Sequence, residues 1–351
     1  MRERVEKTFT ETVGQDGAAV CVTVDGETVV DLWQGTADAA GARPWERDTI
    51  LNVYSTTKTM AALTALLVAD RGELDFDAPV ARYWPEFAAA GKQDVTVAQV
   101  MSHSSGLSGW REPLATADLY DWEKATALLA AQEPWWKPGT ASGYHAVTHG
   151  YLIGEIVRRI TGRTLGTVFR EEIAGPLGAD FHIGLPASED HRVAELIAPP
   201  TPIAGFDGSE IQVNAAGNPH IDVPTVQTRE WRGAEIPAGN GHGNARSVAV
   251  AHTVLATGGA GIMSEAGCRR ALDVQIEGTD LVLGFPIRWG LGFAVGGGFA
   301  PHDDILSWGG NGGSFALIDM RARSTFAFVT NRMAATVVDL RGISIAMTMW
   351  E

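Results

Sequence analysis

The segment STTKTMAALTALLVADRGEL, residues 55–74, combines a helical apolar pattern with two residues that can carry chemistry. Its large apolar residues recur at steps of three and four, which predicts one apolar stripe along a helix: Met60, Leu63, Leu67 and Val68. Gly72 is a natural helix stop. The pattern therefore predicts a helix that begins at about Ser55 and places Ser55 and Lys58 on one face of its first turn.

Both ends of the chain show the alternation and the turn chemistry of β-strands. A hairpin is predicted for AAVCVTVDGETVVDLWQG (18–35), because two β-branched runs flank Asp25-Gly26, a favoured two-residue turn. Further antiparallel strands are predicted for WGLGFAVGGG (289–298), ILSWGG (305–310), SFALIDM (314–320) and STFAFVTNR (324–332). Apolar residues at helical spacing over 333–350 predict a final helix packed on that sheet.

Helices and loops are predicted between these ends. A capping box at Thr96–Gln99 begins a short helix that runs to His103, and a longer helical pattern follows Tyr144 and ends at Gly162. The other predicted elements are a helix capped by Thr164 and reaching Ala174, irregular loops over 186–244 that we interpret as covering a cleft, and a helix at 245–259.

This order of elements predicts an α/β (α+β) fold, with an antiparallel sheet built from both chain ends and flanked by helices. We expect an α/β subdomain from residues 1–75 and 240–351, and a mainly helical and loop subdomain from 76–239. The groove between them is the expected active site.

Composition argues against several functions. The 351 residues carry a formal net charge of −15, which repels nucleic acid and anionic membrane surfaces, so neither is expected as a partner. No run of about 18 apolar residues exists and the charged N-terminus does not resemble a signal peptide, so we expect no membrane span and a cytoplasmic protein. Cys21 and Cys268 show no metal-ligand spacing; two buried thiols are expected, with a disulfide as the alternative.

Ser55 and Lys58 form the first candidate catalytic pair. A serine hydroxyl is a poor nucleophile until a base takes its proton, and a neutral or desolvated lysine amine close by can do so. At the head of a helix, the serine also lies near the positive end of the helix dipole. The alternative is an N-cap serine and a solvated lysine, since this spacing also arises by chance.

Two later segments add candidate groups. Tyr144 lies where a loop becomes a helix, and a phenol paired with lysine can act as general base and acid. The alternative is a tyrosine packed at a helix start. The segment WGGNGGS (308–314) has glycines that allow close backbone approach to a ligand, and one of its amides could complete an oxyanion hole. The alternative there is a glycine-rich hairpin turn.

In this order, the three segments resemble the serine β-lactamase and penicillin-binding-protein superfamily, and more closely its esterase branch, the family VIII carboxylesterases. The resemblance covers nearly the whole chain. It is supported by LLVADRGELDFDAPVARYWPEF, VAQVMSHSSGL, PGTASGYHAVTHGYLIGEIVRRITGRTLG and WGGNGGSFALID. It implies a β-lactamase-like fold with a helix-rich second subdomain.

The resemblance also implies roles for individual residues. Ser55 matches the acylated nucleophile, Lys58 the lysine that shares its proton, and Tyr144 the tyrosine that acts as base and then protonates the leaving group. The backbone N–H groups of Ser55 and Asn311 match the two oxyanion-hole donors. The substrate-binding box is matched by three consecutive residues: Trp308, Gly309 and Gly310.

Two departures from the superfamily pattern concern the substrate. Where β-lactamases and transpeptidases have a second motif ending in asparagine, this chain has Tyr-His-Ala at 144–146. Where they carry Lys-Thr-Gly, it has Trp-Gly-Gly at 308–310. The resemblance implies that this lysine binds the carboxylate of a β-lactam, so an apolar tryptophan favours substrates without a carboxylate, such as simple esters. No G-x-S-x-G segment is present, which excludes the α/β-hydrolase nucleophile elbow.

We therefore predict a serine hydrolase of carboxylesterase type, acting on small-molecule esters with short acyl chains through an acyl-enzyme on Ser55, without metal or cofactor. The alternatives are a β-lactamase, D-peptidase or amide hydrolase on the same site, an acyltransferase, and a non-catalytic scaffold of the same fold. His145 and His149 are four apart in a helical pattern, but no acidic partner accompanies them, so a metal site is not favoured.

Other aromatic and histidine residues have less defined expectations. His103 is expected to be structural, and His242 is a candidate for the border of the cleft. The loop tryptophans are expected either to line an acyl pocket or to pack under the loops: Trp110, Trp135, Trp136 and Trp231.

Overall fold

The computed structural model describes residues 1–201, 208–336 and 338–351. The strands in these residues are β1 (Ala18–Val24), β2 (Glu27–Gln34), β3 (Leu51–Asn52), β4 (Phe181–His182), β5 (His242–Gly243), β6 (Ile276–Thr279), β7 (Pro286–Trp289), β8 (Ala294–Val295), β9 (Ile305–Gly309), β10 (Phe315–Asp319) and β11 (Ser324–Thr330). Eight of them form one antiparallel sheet in the order β2-β1-β11-β10-β9-β8-β7-β6, and the short β3, β5 and β4 form a second sheet.

Strand β1 joins the two ends of the chain in the large sheet. It pairs with β2 on one side and with β11 on the other, where Ala18 lies opposite Thr330. Asp25 and Gly26 both have positive φ, 49° and 84°, as the predicted two-residue hairpin turn requires. The predicted antiparallel sheet from both chain ends is confirmed, although the exposed edge strand β6 and its neighbour β7 were not expected from their sequences. The strand predicted over 289–298 is limited to β8 at Ala294–Val295.

The α-helices of the described residues are α1 (Arg2–Val13), α2 (Thr57–Asp70), α3 (Val97–Met101), α4 (Trp122–Ala131), α5 (Thr148–Thr161), α6 (Leu165–Phe169), α7 (Gly175–Leu177), α8 (Glu210–Gly217), α9 (Val223–Val226), α10 (Arg229–Gly233), α11 (Ala245–Ala256), α12 (Glu265–Arg269) and α13 (Leu340–Met347). A π-helical turn follows α6 at Arg170–Ala174. Short 3₁₀ helices lie at Val80–Arg82, Pro85–Gly91, Thr116–Tyr120, Ala187–Arg192 and Arg270–Leu272.

Helix α2 is buried on all sides. Every residue from Thr57 to Val68 is buried, so the prediction of a single apolar stripe is wrong. The helix packs against α5, α6 and α12 rather than on the surface, and a helix enclosed in this way needs no polar face. Gly72, with φ 76°, ends the helix through a Schellman turn, so the predicted stop is confirmed.

Helices cover both faces of the large sheet. Helix α11 packs on β1 and β11, while α1 and α13 contact each other on the opposite face. Helix α1 was not expected from its charged sequence, yet Val5, Phe9 and Val13 recur every four residues and are buried. The final helix packs on the sheet as predicted, but it begins at Leu340 rather than at 333.

The middle of the chain follows the predicted order with shifted boundaries. The capping box at Thr96–Gln99 begins α3, and Gly162 ends α5 with φ 71°. Helix α5 begins at Thr148, so residues 144–147 form a loop. The region predicted as loops, 186–244, contains α8, α9 and α10, and its residues 202–207 lie outside the described residues.

Two further properties concern thiols and membranes. Cys21 and Cys268 are free and buried, as expected. Within the described ranges, the helices are too short or too polar to cross a membrane.

Candidate active site

Ser55 lies in a tight turn immediately before α2. Tyr54 has a left-handed φ of 45°, and the Lys58 N–H donates to the Ser55 carbonyl at 3.0 Å. The helix proper begins two residues after Ser55, within the usual uncertainty of helix ends. The turn therefore directs Ser55 into the cleft while Lys58 lies in the first helical turn below it.

Lys58 is buried and forms hydrogen bonds through its amine. Nζ lies 2.9 Å from Ser55 Oγ, 2.7 Å from the carbonyl oxygen of Ala146 and 2.9 Å from that of Ala238. No carboxylate in the described ranges forms an ion pair with it. Burial lowers the pKa of Lys58 well below the ordinary lysine value. The site therefore favours the neutral amine.

Tyr144 completes a cluster with Ser55 and Lys58. Its hydroxyl accepts a hydrogen bond from Nε1 of Trp308 at 3.2 Å, and Lys58 Nζ lies 4.8 Å from the centre of its ring. Burial raises the pKa of the Tyr144 phenol, and its hydrogen bonds with Ser55 and Trp308 oppose that shift. The hydroxyl, amine and phenol predicted to converge are thus brought together.

The glycine segment after β9 is held against the Ser55 turn. A Cβ on Gly310 would collide with the carbonyl oxygen of Val53, so only glycine permits this approach. Ser314 Oγ donates to the same carbonyl at 2.7 Å and lies 3.0 Å from Thr56 Oγ1. These contacts place Asn311 beside the turn that holds Ser55.

The two predicted oxyanion donors are available to a ligand. In the chain as described, neither the Ser55 N–H nor the Asn311 N–H donates a hydrogen bond to another protein group. Both residues line the cleft. Free amide donors that face a reacting carbonyl are what an oxyanion hole requires.

A cavity of about 1430 Å³ opens in front of Ser55. Its wall includes the predicted substrate-binding residues Trp308, Gly309 and Gly310, and the side near Tyr144 is apolar. Among the described lining residues, Arg288 is the sole lysine or arginine, and its guanidinium lies near the carboxylates of Glu277 and Asp303. No unpaired lysine or arginine from these residues therefore faces the cavity.

Three histidines pack behind Tyr144. His103 stacks on His149 with ring centres 4.2 Å apart, and its Nδ1 accepts a hydrogen bond from the His145 N–H. His145 lies in the loop before α5, so the expectation that it shares a helix with His149 is wrong. No cluster of three or more potential metal ligands occurs in the part of the chain that the structure describes. Burial lowers the pKa of all three imidazoles.

The remaining candidates divide between the cleft and the core. Of the loop tryptophans, Trp231 lines the cavity from helix α10, whereas Trp110 is buried under the loops and donates to the Ala125 carbonyl. His242 is buried in β5, and the described residues place it outside the cavity lining. His103 supports the Tyr144 loop, in line with its expected structural role.

Several supporting groups had no signal in the sequence. The Ala146 and Ala238 carbonyls bind Lys58 through backbone atoms, which any residue could supply. Asp280 accepts from the Tyr144 N–H at 2.9 Å and from Nε1 of Trp289 at 3.2 Å, and thereby anchors the Tyr144 loop. Asp280 lies 136 residues from Tyr144, so only the folded chain reveals this contact.

The fold, an antiparallel sheet of eight strands flanked by helices, is that of the β-lactamase-like proteins. The chain belongs to the Beta-lactamase family, whose model matches residues 3–345. The predicted family resemblance and the β-lactamase-like fold are thereby confirmed.

Individual relatives include proteins named for two activities. Esterase/beta-lactamase LipL of Mycobacterium tuberculosis is 36% identical, and the match covers 92% of this chain and 78% of LipL. A family VIII carboxylesterase of known structure is 42% identical with a TM-score of 0.94, covering 99% of this chain and 96% of its own. A penicillin-binding protein homologue from Caulobacter crescentus is 38% identical with a TM-score of 0.93 and the same coverage.

Proposed function

We propose that this protein is a carboxylesterase that forms an acyl-enzyme on Ser55. The observation that carries the proposal is the position of the buried Lys58 amine, 2.9 Å from Ser55 Oγ and without a carboxylate partner in the described residues. Similarity to an esterase/beta-lactamase and to a family VIII carboxylesterase supports hydrolysis of esters.

In this proposal, Lys58 is the base for the Ser55 hydroxyl. A neutral amine has two N–H donors and one lone pair, and the Ala146 and Ala238 carbonyls accept the two donors. The lone pair then faces Ser55 Oγ and accepts its proton as Oγ attacks the ester carbonyl. The amides of Ser55 and Asn311 stabilise the negative charge that develops on the carbonyl oxygen.

Tyr144 transfers a proton to the departing alcohol. Because the Trp308 indole N–H already donates to the phenol oxygen, the phenol's own proton is directed elsewhere, toward Ser55 or the leaving group. After the alcohol departs, the Tyr144 phenolate takes a proton from a water molecule as that water attacks the acyl-enzyme. The Lys58 ammonium then returns its proton to Ser55 Oγ as the acid is released. The two groups share one proton, so their titration belongs to the pair.

The proposed substrate is an ester without a carboxylate, with a short acyl chain. Trp308 stands where the superfamily carries a lysine for an anionic group, and the described lining residues offer no unpaired lysine or arginine. A carboxylate substrate would therefore lose its solvation without gaining a charged partner. The largely apolar wall suits an uncharged ester.

The decisive test is a panel of p-nitrophenyl esters assayed with wild type and Ser55→Ala. We expect turnover of short acyl esters and a loss of at least about 1000-fold in kcat for Ser55→Ala. A fluorophosphonate probe should add its mass to the Ser55 peptide of wild type and leave the corresponding peptide of Ser55→Ala unlabelled. The surface variant Ser188→Ala is the matched control and should retain both activity and labelling. Unchanged turnover in Ser55→Ala would reject the mechanism.

A β-lactamase is the second candidate, because LipL bears both activities in its name. Nitrocefin and a D-amino-acid peptide should be assayed beside the esters. We expect kcat/KM for the best ester to exceed that for either compound. The reverse order would reassign the substrate class while leaving the Ser55 mechanism intact.

A further inference from the structure

Tyr54 and Met333 contact each other next to the predicted oxyanion donors. The Tyr54 hydroxyl lies 3.9 Å from Met333 Sδ, and both side chains line the cavity. Tyr54 directly precedes Ser55, whereas Met333 packs over the glycine segment, where a Cβ on Gly312 would lie 2.6 Å from Met333 Cγ. The contact therefore bridges the nucleophile turn and the segment that carries Asn311.

The contact lies at the opposite end of the glycine segment from Tyr144. The Tyr144 hydroxyl is bound to Trp308, where the segment begins, and Met333 packs against Gly312, near its end. In the proposed mechanism the leaving alcohol faces Tyr144. The acyl group must then extend the other way, toward Tyr54 and Met333.

We propose that Tyr54 and Met333 close the acyl side of the cleft and set the maximum length of the acyl chain. This inference rests on the proposed ester hydrolysis at Ser55. Tyr54 is held by its position in the nucleophile turn, while Met333 has a flexible, unbranched side chain whose truncation leaves space. Val338 and Ile343, which follow Met333 in the chain, line the same cavity, so that space would have apolar surroundings.

The test compares p-nitrophenyl esters of two to ten acyl carbons, which share one leaving group. Met333→Ala removes three heavy atoms, and each methylene that gains an apolar site improves binding by about fourfold. We expect the ratio of kcat/KM for the octanoate to that for the butyrate to rise at least tenfold. Met333→Phe should lower the same ratio, so the pair of variants moves it in opposite directions. Tyr54→Phe keeps the ring and should change the ratio less than threefold.

Two controls separate chain length from other effects. The exposed Met347→Ala should leave the ratio unchanged. For acetate esters of increasing alcohol size, Met333→Ala should rank the substrates by kcat/KM in the same order as wild type, because the alcohol faces Tyr144. A folded Met333→Ala protein with the wild-type acyl ratio would overturn the inference. A wild-type protein without turnover on any ester of the series would instead reject the proposed function, and this inference with it.

Discussion

Lys58 and Lys92 are two buried lysines that form similar hydrogen bonds to the backbone but differ in their side-chain partners. Both donate to backbone carbonyls, Lys92 to those of Ala89 and Gln132. Burial lowers the pKa of both, to about 8 for Lys92 and well below the ordinary value for Lys58. Only Lys58 of the two has a serine hydroxyl as a further partner. Lys92 therefore separates the cost of removing a buried lysine from the loss of a base.

Removing Lys58 or the Tyr144 hydroxyl should abolish most of the activity. We expect Lys58→Ala and Tyr144→Phe each to lower kcat by at least about 1000-fold, and the double variant to lose little more, because groups that act as one unit fail together. The measurement is steady-state turnover of a p-nitrophenyl ester. Lys92→Met is the control: it should lower the melting temperature but keep kcat. A mild effect at Lys58 or Tyr144 would remove that residue from its role.

The pH dependence of turnover should report the depressed pKa of Lys58. Desolvation disfavours the ammonium, so the neutral base is present at pH values well below the ordinary lysine pKa of about 10.4. We expect kcat/KM to rise with pH and to level off well before that value. The rise should be a single titration that belongs to Lys58 and Tyr144 as a pair. Activity that continues to climb to the ordinary lysine pKa would show that the amine is normally charged.

At the scale of elements, the site depends on one close contact between β9 and the turn before α2. Gly310 follows β9 and lies against the Val53 carbonyl, which also accepts from Ser314. The N–H of Gly310 donates to the Ser314 carbonyl at 2.7 Å and thereby closes the glycine turn. This arrangement sets the separation between the amides of Ser55 and Asn311.

Gly310→Ala should therefore act on catalysis through the backbone. The added Cβ would collide with the Val53 carbonyl, so the glycine segment must move and carry the Asn311 amide away from Ser55. We expect kcat to fall by at least about 100-fold, the usual cost of losing one oxyanion donor. Gly217→Ala, where a Cβ meets nothing within 4 Å, should retain full activity. Equal kcat values for the two variants would contradict the assigned role.

Local sequence signals predicted elements that are specified locally. The Asp25-Gly26 turn, the Thr96 capping box and the Gly162 stop all rest on backbone preferences of a few residues, and all three are confirmed. The burial of α2 on every side was not predictable in this way, since it depends on which elements surround the helix. The same holds for the start of α5, where Asp280 holds the Tyr144 N–H in a loop.

In the candidate site, the sequence likewise predicted the reactive side chains but not the backbone groups that hold them. Side chains with distinctive chemistry, such as Ser55, Lys58 and Tyr144, could be proposed from their type and order. The Ala146 and Ala238 carbonyls could not, because a backbone acceptor leaves no trace in the residue type. Their contacts nonetheless decide the environment of the Lys58 amine.

For the molecule as a whole, buried histidines link folding to pH. Burial lowers the pKa of five of them: His103, His145, His149, His242 and His252. The values are about 4 for His145 and His252 and about 3 for His242. An unfolded histidine titrates near 6.5, so the unfolded chain binds more protons than the folded chain below that pH. These histidines therefore contribute fully to the free energy of unfolding above pH 6.5, and their contribution is lost as the pH falls toward their folded pKa values.

The free energy of unfolding should therefore decline between pH 6.5 and pH 4. A folded pKa near 4 corresponds to a loss of roughly 3 kcal/mol at pH 4 for one histidine. His252 tests this separately from the active site, because it packs in α11 with Nδ1 2.8 Å from the Val248 carbonyl. In urea unfolding, His252→Gln should show a smaller decline across this range than wild type, whatever its stability at pH 7. The exposed His191→Gln should keep the wild-type decline. If His252→Gln instead followed the wild-type curve in parallel, His252 would take up its proton at the same pH in the folded and unfolded states, and the proposed link between burial and acid sensitivity would be wrong at that residue.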